Sequence, residues 1–328
     1  MSGRRRSRAA GLGAWVLCTA ALASCSASTP APQQSTARAS ASATTTPAQS
    51  PTAAPSPTRA ASTSPAHTAS LAGCPATPVR ASTLPVVWRG GQPDDLAVAG
   101  DGSLWISDLG SGTVIQVAGG KLVASLGHLD RPEGLVALPD GTLLVAEQGH
   151  NQVSRSSPDR SRPVLVLPSA PPTLGLDGIG FDVASQRMLV PDSPHGTLLS
   201  ADLQGGSVTT LATGLGRDVA AIPAADGGTW VAAEAEAPGG LLHVPAGGGR
   251  ATPVGHLAQL DDVLLLDGLL YVTDLRGLSV HAVDPATGAD RVIAAGFGEP
   301  QGLVVLPDGR LAVADSPRGV VVALTPCA

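Results

Sequence analysis

Pro132-Glu-Gly-Leu-Val-Ala-Leu-Pro-Asp-Gly-Thr-Leu-Leu-Val-Ala-Glu147 is the stretch that decides the fold. An acid opens an apolar run, a Pro-Asp-Gly turn reverses the chain, and a second apolar run ends on another acid. The glycine supplies the positive φ that a tight hairpin turn requires. The same unit returns as Asp95-Leu-Ala-Val…Trp105-Ile-Ser-Asp108 and as Gln301-Gly-Leu-Val…Leu311-Ala-Val-Ala-Asp315. Further copies open at Asp177, Asp218 and Asp262. Strand-turn-strand units at a spacing of roughly 40 residues predict an all-β, six-bladed β-propeller, one blade per unit.

Third strands follow in each unit, for example Thr113–Val117, Gln152–Arg155 and Val320–Leu324. Outer fourth strands follow in the first five, for example Leu122–Leu126 and Val164–Leu167. The sixth unit runs out of chain after its third strand. Val86-Val87-Trp88, just before the first unit, is in register to supply the missing strand, which would remove two exposed edges at once. Four cysteines occur. Cys18 falls in an export signal and Cys25 at its end, which leaves Cys74 and Cys327 at the two ends of the repeat region. In an exported chain these two are expected to pair, clasping the ring shut beside the exchanged strand.

The region before the repeats divides in two. Residues 1–25 read as a lipoprotein signal peptide: Arg4, Arg5, Arg6 and Arg8 form a basic head, and residues 11–23 form a short apolar run. The run ends in Leu22-Ala23-Ser24-Cys25, which resembles a bacterial lipobox and marks Cys25 as the lipidated residue. Residues 26–73 are almost wholly Ala, Ser, Thr and Pro. They cannot bury enough apolar surface to offset their ordering entropy and read as a disordered stalk. Residues 74–328 form the propeller. The expected location is the outer face of a bacterial cell membrane, reached only through the lipid on Cys25. A net charge of −6 argues against nucleic acid as a partner. The expected partner is a small ligand or an envelope protein, with the chain monomeric.

The repeat also orders the acids. In a propeller the first strand of every blade lines a central channel, and the second runs back to the same face. Asp95, Glu133, Asp177, Asp218, Asp262 and Gln301 therefore gather at one mouth, with Asp108, Glu147, Asp192, Glu234, Asp274 and Asp315 behind them. Crowded carboxylates either hold protons or share a cation. An oxygen-only set suits a hard ion, so Asp95, Glu133, Asp177, Asp218 and Asp262 are the expected ligands of Ca2+. The second ring has a plainer use, capping backbone amides in the turns that follow it.

The unit Pro132-Glu-Gly-Leu-Val…Leu144-Val-Ala-Glu147 resembles an NHL-type repeat, and its cousins are the six-bladed SMP-30/gluconolactonase-like propellers. The resemblance implies a metal held at the strand openings by a Glu, by Asn side chains and by an Asp, with Glu133 and either Asp177 or Asp218 as the matches here. The chain's one Asn, Asn151, lies in a loop, so the amide ligands have no counterpart. Two functions follow: a ligand- or protein-binding module working through its acidic face with Ca2+, and a metal-dependent lactonase. For the second, His150 and His195 are the candidate catalytic bases, each three residues beyond a second-ring acid. No sequence mark of an organic cofactor site is present.

Overall fold

The computed structural model describes residues 69–171 and 174–328. The signal peptide, Cys25 and the linker up to residue 68 lie outside the described residues. Among those described, no helix is long and apolar enough to cross a membrane. Six sheets stand one after another along the chain, five of them four-stranded and antiparallel throughout. Their innermost strands are Pro93–Val98, Pro132–Ala137, Gly180–Asp182, Asp218–Pro223, Leu260–Leu266 and Pro300–Val305. The expected all-β, six-bladed propeller is present.

Closure runs as the strand count predicts. Val86–Arg89 pairs antiparallel with Val320–Leu324 and completes blade six. Cys74 and Cys327 form a disulfide across 253 residues of chain. The Tyr271 hydroxyl accepts the Cys327 N–H at 3.0 Å, fixing the last residues to blade five. Ala69, five residues before Cys74, is already part of the packed body. Ala69 is buried and donates its N–H to the Asp267 carbonyl at 2.9 Å. Val79–Arg80 then adds to the outer edge of blade five as a parallel fifth strand. Composition hides both features, because Ala-rich and Pro-rich sequence carries little strand signal before a sheet edge is there to receive it.

The core is a ring of interfaces. One apolar cluster fills each of the six gaps between neighbouring blades, for example Leu144, Met188 and Val190 between blades two and three. Large aromatic residues are scarce, so Leu, Val and Ala carry this packing. Nearer the axis the inner strands close to backbone distance. Gly134 donates its N–H to the Asp177 carbonyl, and Gly178 to the Val219 carbonyl, both at 2.7 Å. A Cβ on Gly178 would sit 2.2 Å from the Val219 oxygen. The glycine after the acid in Glu133-Gly134 and Asp177-Gly178 thus lets blade meet blade. Gly178→Ala is expected to lower stability by about 1–3 kcal/mol through forced separation of blades three and four. Urea unfolding measures this, and an unchanged midpoint would refute it.

Candidate cation site at the channel mouth

Five of the six inner strands carry a bulge just after the first residue; that of blade three, Gly180–Asp182, pairs without one. In blades one, two, five and six the register breaks between Pro93 and Leu96, Pro132 and Leu135, Leu260 and Val263, and Pro300 and Leu303. An extra residue there gives two consecutive side chains separate tasks. The residue beside Pro93, Pro132, Leu260 and Pro300 is Asp94, Glu133, Asp261 and Gln301. These four, with Asp177 in blade three, occupy equivalent places at the mouth.

Carboxylate oxygens of Asp94, Glu133 and Asp177 all lie within 4.8 Å of one another. This differs from the expected set of five. Glu133 and Asp177 are in place, but Asp94 replaces Asp95 in blade one. Asp95 and Asp262 occupy the next bulge position, where both oxygens are engaged by backbone. Asp95 accepts Leu96 N–H at 2.6 Å and, from blade two, Leu135 N–H at 2.7 Å. Asp262 accepts Val263 N–H at 2.7 Å and, from blade six, Leu303 N–H at 2.6 Å. They bind blade to blade and are not in the triad. Asp218 also stands apart from the triad: it is fully buried and does not line the channel cavity. Aligning the prolines would have given the right register, since Pro93-Asp94, Pro132-Glu133 and Pro300-Gln301 share it.

Neighbours orient the triad. Gln148 donates its Nε2 to Glu133 Oε2 at 2.6 Å, while its own oxygen accepts Arg131 Nε at 2.8 Å, so the amide has one orientation only. Arg217 hydrogen-bonds Asp177 and lies 3.4 Å from Glu234. Across the channel, the Gln301 amide oriented to donate reaches both Asp261 oxygens at 2.8 and 3.0 Å. Burial, then the Asp177 charge, drives the Glu133 carboxyl far above the carboxylate range. Burial and the charges of Asp177 and Glu299 push Asp94 up to about 8, against a smaller opposing pull from Arg131. Asp261 is raised by burial and then by Asp177 and Asp94. The mouth therefore holds more negative charge than Arg131 and Arg217 offset. It relieves this with protons or with a cation.

The donor set fits a hard divalent ion. Three carboxylates from three blades offer oxygen only, and their spacing matches a cation with ligand distances of about 2.3–2.6 Å. Asp94, Glu133 and Asp177 would hold it.

Both expected catalytic histidines lie elsewhere. His150 sits 3.7 Å from Glu147 and 3.5 Å from Asp130, in a cleft at the side of the ring. His195 places Nδ1 2.9 Å from Asp192, in its own turn. Among the described residues no histidine lines the channel cavity. Asn151 is structural: its oxygen accepts Leu176 N–H at 2.8 Å and its nitrogen donates to the Pro168 carbonyl at 2.6 Å. Second-ring acids cap turns. Asp108 accepts Gln92 N–H at 3.1 Å, and Asp315 accepts Gly298 N–H at 3.0 Å.

Comparison with solved structures gives the same architecture. A gluconolactonase of Xanthomonas campestris superposes with a TM-score of 0.61 at 14% identity, over 74% of this chain and 88% of its own. A Thermus thermophilus protein assigned as an oxidoreductase (glucose dehydrogenase) gives 0.59 at 20%, over 73% and 98%. Virginiamycin B lyase of Staphylococcus aureus gives 0.54 at 14%, over 70% and 79%. The chain is a six-bladed β-propeller. Identities this low carry the fold alone. No family model and no curated protein sequence matches the propeller.

Proposed function

We propose that this propeller is an exported, lipid-anchored binding module whose acidic mouth takes Ca2+ and presents it to a ligand. The observation that carries the reading is the Asp94–Glu133–Asp177 triad, three carboxylates from three blades meeting within 4.8 Å at the channel mouth. Bound there, Ca2+ supplies positive charge for an incoming oxygen. Gln148 and Arg131 keep Glu133 turned toward the triad, and Arg217 does the same for Asp177. Location at the membrane surface rests on the lipobox at Cys25.

A thermal melt tests the ion. Ca2+ is expected to raise the melting temperature and chelator to lower it, because a ligand bound only by the folded state stabilises that state. Glu133→Gln is expected to abolish most of the response. An unchanged melting temperature in the unmodified chain would remove the proposal.

A lactonase is the second reading. It is supported by likeness to the Xanthomonas campestris gluconolactonase and by Asp94, whose carboxyl at about 8 suits proton transfer near neutral pH. A lactone-hydrolysis screen with Asp94→Asn as control separates it from simple binding.

A further inference from the structure

We propose a second binding site in the side of the ring, between blades one and two, that takes a neutral, hydroxyl-rich molecule the size of a single sugar. It starts from a departure in the blade pattern. Gln152, Ser154 and Ser156 stand opposite Glu147, Val145 and Leu143, on the face turned to blade one. The positions equivalent to Ser154 and Ser156 are Ile115 and Val117 in blade one, Leu199 and Ala201 in blade three, and Val322 and Leu324 in blade six. Three blades use this face for apolar packing. Blade two fills it with hydroxyls and an amide.

Such groups are costly to bury unless bonded, and here each is. Ser154 donates to Glu147, Gln152 donates to the same oxygen at 2.9 Å, and Ser156 shares a 2.8 Å bond with Ser161 of the outer strand. A cleft lies above this row, walled by the linker from blade one. His128, Leu129, His150, Gln152, Ser161 and Pro163 line it.

The lining selects the ligand. The other Glu147 oxygen accepts the Asp130 N–H at 2.9 Å, so its charge is already engaged. Asp159 and Arg160, both exposed, bring one charge of each sign to the lining. Ser154 and Ser156 are buried beneath the cleft. What remains open to it is Ser161, His128, His150 and the half-buried Gln152, groups that donate and accept alike, as sugar hydroxyls do. Pro163, exposed on the outer strand, offers apolar surface to the C–H face of a ring. With one exposed charge of each sign, the lining holds no net charge that would favour a phosphorylated or an amino sugar over a neutral one.

The probes are glucose, galactose, mannose and N-acetylglucosamine, with glucose 6-phosphate and glucosamine as charged controls, each titrated into the full propeller and followed by amide NMR shifts. At least one neutral sugar is expected to bind at millimolar strength and move the Gln152 side-chain NH2. Ser161→Trp fills the cleft from an exposed position and is expected to weaken binding about tenfold or more, with its folded spectrum retained. Gln152→Ala, which keeps the cleft open, is expected to weaken it less. Chelator is expected to change neither result, which separates this site from the mouth. No shift with any neutral sugar, equal binding of the charged controls, or undiminished binding by Ser161→Trp would each overturn the proposal.

Discussion

A chain carrying Cys74→Ala and Cys327→Ala is expected to unfold about 5 kcal/mol more easily than the oxidised protein. The bond closes a loop of 253 residues, and the entropy it removes from the unfolded chain grows with the logarithm of that length. The loss is comparable with the whole stability of many domains. Both cysteines are buried in the cluster between blades five and six. The strand they secure, Val86–Arg89, holds blade six by pairing with Val320–Leu324 alone. Without the bond, blade six is expected to open first. Guanidinium unfolding followed by Trp88 fluorescence reads both effects. If the double variant unfolded at the same denaturant concentration, the ring would be closed by packing alone.

The second large effect concerns pH and calcium together. Asp94 and Asp218 titrate at about 8 and about 7 in the folded chain, chiefly through burial, against an ordinary 3.8. Asp262 is raised to about 6, again by burial. Over the interval between those values and 3.8 the folded state keeps protons that the unfolded state has released. Acidification therefore stabilises the fold there. His281 acts in the same direction. Burial pulls its value down, but bonds to Asp274 and Asp290 outweigh that, so its folded value lies above 6.5. Its stabilisation is full below 6.5 and is lost as pH rises through the folded value. In chelator the melting temperature is expected to climb between about pH 8 and about pH 5. A cation prefers carboxylates without protons, so the Ca2+ increment is expected to be largest at pH 8 and to fade toward pH 5. A calcium increment that grew in acid would contradict the carboxylate site.

Much of this was legible from residues near one another in the chain. The hairpin in Leu138-Pro139-Asp140-Gly141 needs only local turn geometry. The repeat count follows from alternating apolar runs, and the pairing of Cys74 with Cys327 follows from ring closure. Part of the second ring's role as turn caps is equally local, because Asp108 reaches Gly110 and Ser111 within three residues, whereas its bond to Gln92 and that of Asp315 to Gly298 span 16 and 17.

The channel mouth was harder. Asp94 and Asp95 are chemically identical neighbours, and so are Asp261 and Asp262. Composition and period fix that a blade opens there, but not which of the two faces the axis. A bulge decides it, and a bulge depends on how the strand meets the next blade. Asp94 and Asp95 both line the channel cavity, but the Asp95 oxygens are taken by Leu96 N–H and, 40 residues on, by Leu135 N–H, so Asp94 is the one that meets Glu133 and Asp177. The positions of His150 and His195 away from the channel cavity have a similar reason, since loops on one face of a ring still diverge from its axis.

By itself the sequence determined an all-β ring of six units, its closing strand and its disulfide, because each rests on periodic apolar burial and short turns. Only the tertiary structure decided that Asp94, Glu133 and Asp177 meet, because carboxylates from three blades are brought within ångströms by backbone contacts such as Gly134 on Asp177 and Gly178 on Val219, which no local pattern encodes.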